Sequence, residues 1–161
     1  MRALLQRVDS CKIEINNKNF SAIDKGLLIF LGIKKEDSKK DVEYLVNKII
    51  KLRIFNDSNN LMNLSVLDKD FSIMVVSQFT LYGNCKKGNR PSFINAETPQ
   101  KAEKLYKLFI DELKKYNINL QSGKFRANMA VKLINNHETI IYNRISIFFS
   151  SIELFSRCKN R

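Results

Sequence analysis

Residues 76–93 read VSQFTLYGNCKKGNRPSF, and three different surfaces follow one another along them. The stretch begins inside FSIMVVSQF (71–79), a run rich in the β-branched and apolar residues that favour a strand. At the end of that run stand Ser77, Gln78, Phe79, Thr80 and Tyr82, and beyond them a basic, glycine-containing loop with Lys86, Lys87 and Arg90. A strand end suits chemistry because the sheet fixes the backbone while the following loop stays open to ligand. Ser77, Gln78 and Thr80 offer hydroxyls and an amide, and backbone N–H groups released where the ladder stops can stabilise a developing oxyanion. Flat rings at Phe79 and Tyr82 suit a base, and the three cations suit phosphates. Read by itself, the stretch fits either a pocket for the end of an RNA or a plain strand end with a solvated loop.

Working outward, GLLIFLGI (26–33) is a continuous apolar run suited to a strand buried on both faces. ALLQRV (3–8) and CKIEINN (11–17) alternate in polarity and predict a first strand and its hairpin partner. The period then changes: Val42, Leu45, Val46, Ile49 and Ile50 recur at helical spacing, with Ser38 and Asp41 placed to cap, which predicts a helix over 39–52. NDSNNLMNLSVLDKD (56–70) is turn-rich and is expected to be loop. In ETPQKAEKLYKLFIDELKKY (97–116), Thr98 is a natural cap, Pro99 a first helical residue, and Ala102, Leu105, Tyr106, Phe109 and Leu113 share one face. Residues 118–144 predict strands joined by polar turns. The order of sheet, helix, strand, helix and sheet predicts a single α+β domain over 1–144, a mixed or antiparallel, barrel-like sheet with two main helices. Residues 145–161 form a separate tail, in which Ile145, Phe148, Ile152 and Phe155 have the spacing of a short amphipathic helix.

At 161 residues, with 44% hydrophobic and 27% charged, the chain can bury a core without staples and lacks the composition of disorder. Lys and Arg exceed Asp and Glu by 28 to 16, a formal charge of +12 that favours polyanions. A solvated Lys-rich surface explains the same charge, since Lys and Asn are abundant throughout. Cys11, Cys85 and Cys158 are odd in number and far apart, which excludes a disulfide framework and provides no paired metal-ligand spacing. No metal or other cofactor is expected. Nothing approaches the ~20 apolar residues of a membrane span, and the expected compartment is the reducing cytoplasm.

The blocks MRALLQRV, GLLIFLGI, LRIFND, SVLD, VVSQFTLYGN, KKGNRPSF, PQKAEKLYKLF and GKFRANM together resemble the D-aminoacyl-tRNA deacylases, formerly called D-tyrosyl-tRNA deacylases, over residues 1–143. The resemblance implies a homodimer with its active sites near the subunit interface. It implies hydrolysis of the ester that joins a D-amino acid to the terminal adenosine of tRNA, a proofreading step. By the same resemblance Ser77, Gln78, Phe79 and Thr80 line the pocket for the aminoacyl-adenosine, with Phe93 and Met129 as further substrate contacts. Arg7 supports the loop that selects chirality, and Lys86, Lys87 and Arg90 meet tRNA phosphates.

Thr80 is the nucleophile candidate by type, but a threonine hydroxyl is weak unless a base takes its proton, and none is evident. A mechanism that asks less of the protein holds the ester carbonyl with backbone and hydroxyl donors while the ribose 2′-OH helps to place water. The family's filter resembles N-x-Gly-Pro-Val-Thr, where this chain has INNHETIIYNR (134–144). Asn135 then takes the place of the motif's Asn and Thr139 of its Thr, with His137 opposite the Gly-Pro pair and one residue deleted. Glu138 lies beside it, either a solvated carboxylate or a grip on the substrate ammonium. His137 is open to three readings: a turn residue, a substitute substrate contact, or a new general base. Arg126 stands where the family has glycine. Three functions are therefore in view: an editing deacylase, a catalytically impaired relative that binds tRNA acceptor ends, and a small-ester hydrolase.

Overall fold

The computed structural model describes residues 1–86 and 88–144, with side chains described as far as residue 136. Lys87 and the tail 145–161 lie outside the described residues. In chain order the elements are β1 (Arg2–Ile15), β2 (Lys18–Ile23), β3 (Gly26–Gly32), α1 (Lys39–Ile50), β4 (Phe55–Asn56), β5 (Met62–Leu64) and β6 (Ser72–Ser77). A 3-10 turn (Phe79–Tyr82), α2 (Pro99–Leu113), β7 (Leu120–Ser122) and β8 (Ala130–Arg144) follow.

The two alternating runs at the start are one strand, β1, and not a strand and its partner. Asp9 and Ser10 interrupt the hydrophobic pattern but bring no residue that needs a left-handed backbone. The turn comes later, at Asn16 and Asn17, whose φ values of 52° and 60° are those of a tight hairpin turn. Asparagine tolerates that region, and β2 is the hairpin partner.

Long β1 organises the sheet. Its first half pairs antiparallel with β3, its second half with β2, and β8 runs antiparallel along most of its length. β3 continues parallel to β6, and β6 parallel to β7. Ser21 Oγ on β2 donates to the Ser122 carbonyl on β7 at 3.2 Å, drawing the far edges of this mixed sheet together into a nearly closed barrel. The α+β, barrel-like architecture agrees with the expectation. Residues 56–70 are less loop-like than expected, because β5 pairs back onto β4 in a small hairpin.

Each sheet face has its own core. Leu27, Ile29 and Leu31 of β3 meet Val42, Leu45, Val46, Ile49 and Ile50 of α1 and Tyr106, Phe109 and Leu113 of α2, while Leu28 points the other way onto Cys11, Ile13, Met74 and Val76. Fully burying a side chain of this size stabilises by about 1.5–3 kcal/mol, so the α1 face alone holds the helix on the sheet. At its start the Ser38 N–H and Oγ both donate to the Asp41 carboxylate, at 2.8 and 2.7 Å, as the sequence suggests. α1 ends at Ile50, two residues short of expectation, where the Leu52 N–H turns back to Ile49 O in a final 3-10 bond.

Thr98 occupies the N-cap of α2 with extended backbone, but its hydroxyl makes no cap bond; the Glu97 carboxylate instead accepts the Thr98 N–H at 2.7 Å. A buried ion pair ties the chain start to the segment before α1: the Met1 ammonium donates to Asp37 Oδ1 at 2.7 Å, and Asp37 Oδ2 accepts the Lys34 N–H at 2.8 Å. Among the described residues no helix is long and apolar enough to cross a membrane.

Candidate active site at the end of strand β6

Strand β6 stops at Ser77 because the chain turns tightly at once. The Gln78 N–H still bonds Leu31 O of β3 at 2.8 Å, and the Leu81 and Gly83 N–H groups then close 3-10 bonds to Gln78 O and Thr80 O. The first N–H groups of such a turn, those of Phe79 and Thr80, have no partner within it, and both residues are exposed. From below, Arg2 donates to Leu81 O and lays its guanidinium 4.4 Å from the centre of the Tyr82 ring. Gly32 leaves room for the same turn: a Cβ there would stand 3.1 Å from Gln78 O.

The Gln78 amide donates to Thr80 Oγ1 in a short hydrogen bond. Thr80 Oγ1 is thus an acceptor within the protein, at an exposed residue. Among the described residues no carboxylate, imidazole or amine bonds that oxygen. Phe79 is 58% exposed and meets Phe93 edge to face, ring centres 5.0 Å apart. Phe93 adjoins Ser92, which is joined to Asn84 by two backbone bonds of 2.9 Å. That bridge closes the neck of the basic loop, so Lys86 and Arg90, both exposed, are carried on the rim of the turn. Lys87 belongs to the same loop but is outside the described residues.

Two further pieces approach from behind. The Gly123 N–H bonds Val75 O at 2.8 Å, and the Tyr106 hydroxyl shares its one proton between Val75 O at 3.0 Å and Gly123 O at 3.2 Å. Burial pushes the Tyr106 phenol well above its ordinary range, so its proton stays in place. The loop after Gly123 brings in Met129, whose sulfur lies where a Cβ on Gly123 would intrude at 2.6 Å and which packs on the cluster containing Val76, next to Ser77. In the sequence Tyr106 reads as one more residue of the apolar face of α2. A lone hydroxyl on that face was the available signal, since a buried tyrosine needs a partner.

Arg7 lies elsewhere, and no described contact links it to Ser77–Thr80. Its guanidinium sits 5.6 Å from the centre of the Phe55 ring and forks between Ile54 O at 3.0 Å, Asn56 Oδ1 at 3.2 Å and Asn136 Oδ1 at 2.6 Å. Asn136, missed in the sequence, also donates to Asp9 at 3.2 Å, while Asn135 is exposed and pairs through its backbone with Val8. β8 bulges here: Gln6 faces Ile140 and Val8 faces Asn135, so Arg7 alone opposes residues 136–139. The backbone of His137, Glu138 and Thr139 runs through this bulge; their side chains lie outside what is described. Arg126 is exposed with a left-handed φ of 61°, a conformation that favours the glycine the sequence comparison expected there. Among the described residues no three His, Cys, Asp or Glu side chains converge as metal ligands.

Comparison with known proteins places the chain in a family. The D-Tyr-tRNA(Tyr) deacylase family profile matches residues 4–141. A D-aminoacyl-tRNA deacylase of Thermodesulfovibrio yellowstonii is 58% identical over 135 residues, 84% of this chain and 92% of that protein. One of Thermotoga petrophila is 43% identical over 155 residues, 96% of this chain and all of its own 100%. A solved c-Myc DNA unwinding element binding protein superposes with a TM-score of 0.86 at 37% identity, covering 91% of this chain and 99% of its own. A probable eukaryotic D-amino acid tRNA deacylase, at 15% identity and a TM-score of 0.72, shares the fold. With the matched profile spanning both helices and most of the sheet, the chain belongs to the D-Tyr-tRNA(Tyr) deacylase family.

Proposed function

We propose that this chain hydrolyses the ester of D-aminoacyl-tRNA, releasing the D-amino acid and tRNA, in the pocket formed by Ser77, Gln78, Phe79 and Thr80. The observation that carries the reading is the polarised Gln78–Thr80 pair beside an exposed Phe79–Phe93 surface and a basic loop. The terminal adenine rests on the Phe79 and Phe93 rings, and Lys86, Lys87 and Arg90 meet phosphates behind it. The ester carbonyl accepts from the Thr80 hydroxyl and from outward N–H groups of the 3-10 turn, which gather the charge of the tetrahedral intermediate. Water, placed by the neighbouring ribose 2′-OH, adds its oxygen to the carbonyl carbon. The bond to the ribose oxygen then breaks, and that oxygen takes up the proton that the water loses. Ser77 and Gln78 orient Thr80 and the substrate, and Met129 walls the apolar side.

The catalytic unit is residues 1–144, acting as a homodimer on tRNA in the cytoplasm. Chirality selection falls to the 136–139 bulge held by Arg7, with Asn135, His137, Glu138 and Thr139 taking the place of the Gly-Pro loop. A second reading, a relative that binds acceptor ends without turnover, is favoured by that missing pair. The test is release of tyrosine from D-tyrosyl-tRNA and L-tyrosyl-tRNA, side by side, with wild type and Thr80→Ala. Release confined to the D form, slowed by about 10²-fold in the variant, is expected from the loss of one oxyanion donor. Full activity in Thr80→Ala removes this pocket assignment, and no release from either substrate moves the protein to the binding-only reading.

A further inference from the structure

The lysines of the two helices are arranged differently. On α2 and its ends they are largely spent on neighbours: Lys101 on Glu97 at 3.2 Å, Lys107 on Glu103 at 2.8 Å, Lys114 on Asp111 at 2.9 Å and Lys115 on Glu112 at 2.6 Å. On α1 only Lys39 has such a partner, Glu43 at 3.4 Å. Lys40, Tyr44 and Lys48 follow one another at four-residue steps, with Asn47 and Lys51 beside them, and so share one exposed stripe. The acidic groups at the edges of that stripe are engaged elsewhere, Asp41 with Ser38 and Glu43 with Lys39, and among the described residues Lys40, Lys48 and Lys51 make no ion pair.

Tyr44 is 58% exposed in the middle of this charge. Tyr44, Asn47, Lys48, Lys51 and Leu52 line a shallow depression of about 230 Å³ that shares no residue with the Ser77–Thr80 pocket. Lysines in a last helical turn also complement the helix dipole, which accounts for Lys48 and Lys51. The dipole does not account for Lys40 in the first turn, nor for an aromatic ring left in water between cations. A ring flanked by unpaired ammonium groups and an amide is the pattern that holds single-stranded RNA, stacking a base while the cations meet the phosphates on either side.

We propose that this stripe of α1 is a second RNA-binding site, which takes an unpaired nucleotide and its flanking phosphates from the body of the tRNA. The inference rests on the deacylase reading, because it supplies a grip on the same substrate away from the reacting ester. The ring of Tyr44 stacks on the base, Asn47 bonds its edge, and Lys48 and Lys51 each neutralise one phosphate, with Lys40 steering the strand.

The test measures binding of uncharged tRNA across a salt series for wild type, Lys48→Gln/Lys51→Gln, Tyr44→Ala and, as a matched control, Lys107→Gln. Each lost phosphate contact lowers the salt slope by about 1, so the double variant should lose about 2, and the paired Lys107 about none. Tyr44→Ala should weaken binding about tenfold with an unchanged slope, and Tyr44→Phe should restore it. Release of D-tyrosine at saturating D-tyrosyl-tRNA should stay at the wild-type rate in all of them. Wild-type slopes in the double variant overturn the site, and wild-type affinity in Tyr44→Ala overturns the stacked base. If the wild-type protein neither binds tRNA nor releases D-tyrosine, the deacylase reading fails together with this one, an outcome distinct from the other two.

Discussion

Replacing Gly32 by alanine separates activity from stability at this site. A Cβ at Gly32 would lie 3.1 Å from Gln78 O, 3.1 Å from Leu81 Cβ and 3.2 Å from a Tyr82 ring carbon. Contacts of 3.0–3.4 Å require the neighbours to give by a few tenths of an ångström, and here every neighbour belongs to the turn that presents Thr80. Overpacking of this kind costs about 1–3 kcal/mol, or a melting temperature lower by about 5 °C for a chain of this length. A misplacement of 1 Å can cost about 10²-fold in rate, so a few tenths should cost on the order of three- to tenfold in kcat. Gly26, at the other end of β3, is the control: its Cβ would meet Ser72 O at 2.1 Å, backbone against backbone, far along the strand from Thr80. Gly26→Ala should destabilise more and leave the single-turnover rate of the folded fraction intact. The assay is D-tyrosine release under single-turnover conditions together with thermal melts of both variants. A Gly32→Ala protein with the wild-type rate and a melting loss like that of Gly26→Ala refutes the idea that the strand packing aims the turn.

Asp37→Asn removes the carboxylate that the buried Met1 ammonium pairs with and should cost about 3–5 kcal/mol, lowering the melting temperature by about 10 °C; an unchanged melt would mean that water reaches the pair. Arg126→Gly removes a left-handed strain of about 1–2 kcal/mol and adds about 0.4–1 kcal/mol of unfolded-state entropy, so a net gain near 1 kcal/mol is expected in urea denaturation, and a loss would show that the exposed side chain has a partner. Acid should unfold the protein from a defined point. Backbone N–H groups of Leu61 and Asn59 hold Asp57 below its ordinary range, the Ser65 hydroxyl and N–H do so for Asp68, and the Thr98 N–H does so for Glu97. Depressed carboxylates contribute stability that is complete above the unfolded values of about 4 and disappears as pH falls through the folded ones. Urea midpoints should therefore be flat from about pH 5 to 7 and fall below about pH 4, less steeply in Asp57→Asn; a decline already under way at pH 6 would point to another group.

The parts of this protein that could be read from its sequence are those specified by neighbours along the chain. Val42 to Ile50 announce α1 through their spacing, Ser38 and Asp41 announce its cap, and residues 76–93 place an apolar strand, a polar turn and a basic loop in the order the fold uses. What could not be read depends on register between distant segments. Nothing local says that β1 runs unbroken past Asp9 and Ser10, because what sustains it there is β8, whose residues lie more than a hundred positions away. Nor does the run Asn135-Asn136 say which amide faces Arg7: neighbouring residues on a strand point to opposite sides, so a one-residue choice reverses the answer. The structure resolves it through the bulge. β1 and β8 keep one register from Arg2 to Gln6 and another from Ser10 to Glu14, and the change between them falls in two steps, at Arg7 and at Asp9, the larger of them opposite Arg7. Asn136 enters reach of the Arg7 fork, whose other prongs hold Ile54 and Asn56 of the neighbouring β4 segment. One arginine thus ties three chain segments together at the bulge, while the Ser77–Thr80 turn rests on separate supports, Gly32 and Arg2, with Tyr106 bonded to Val75 on the strand that leads into it.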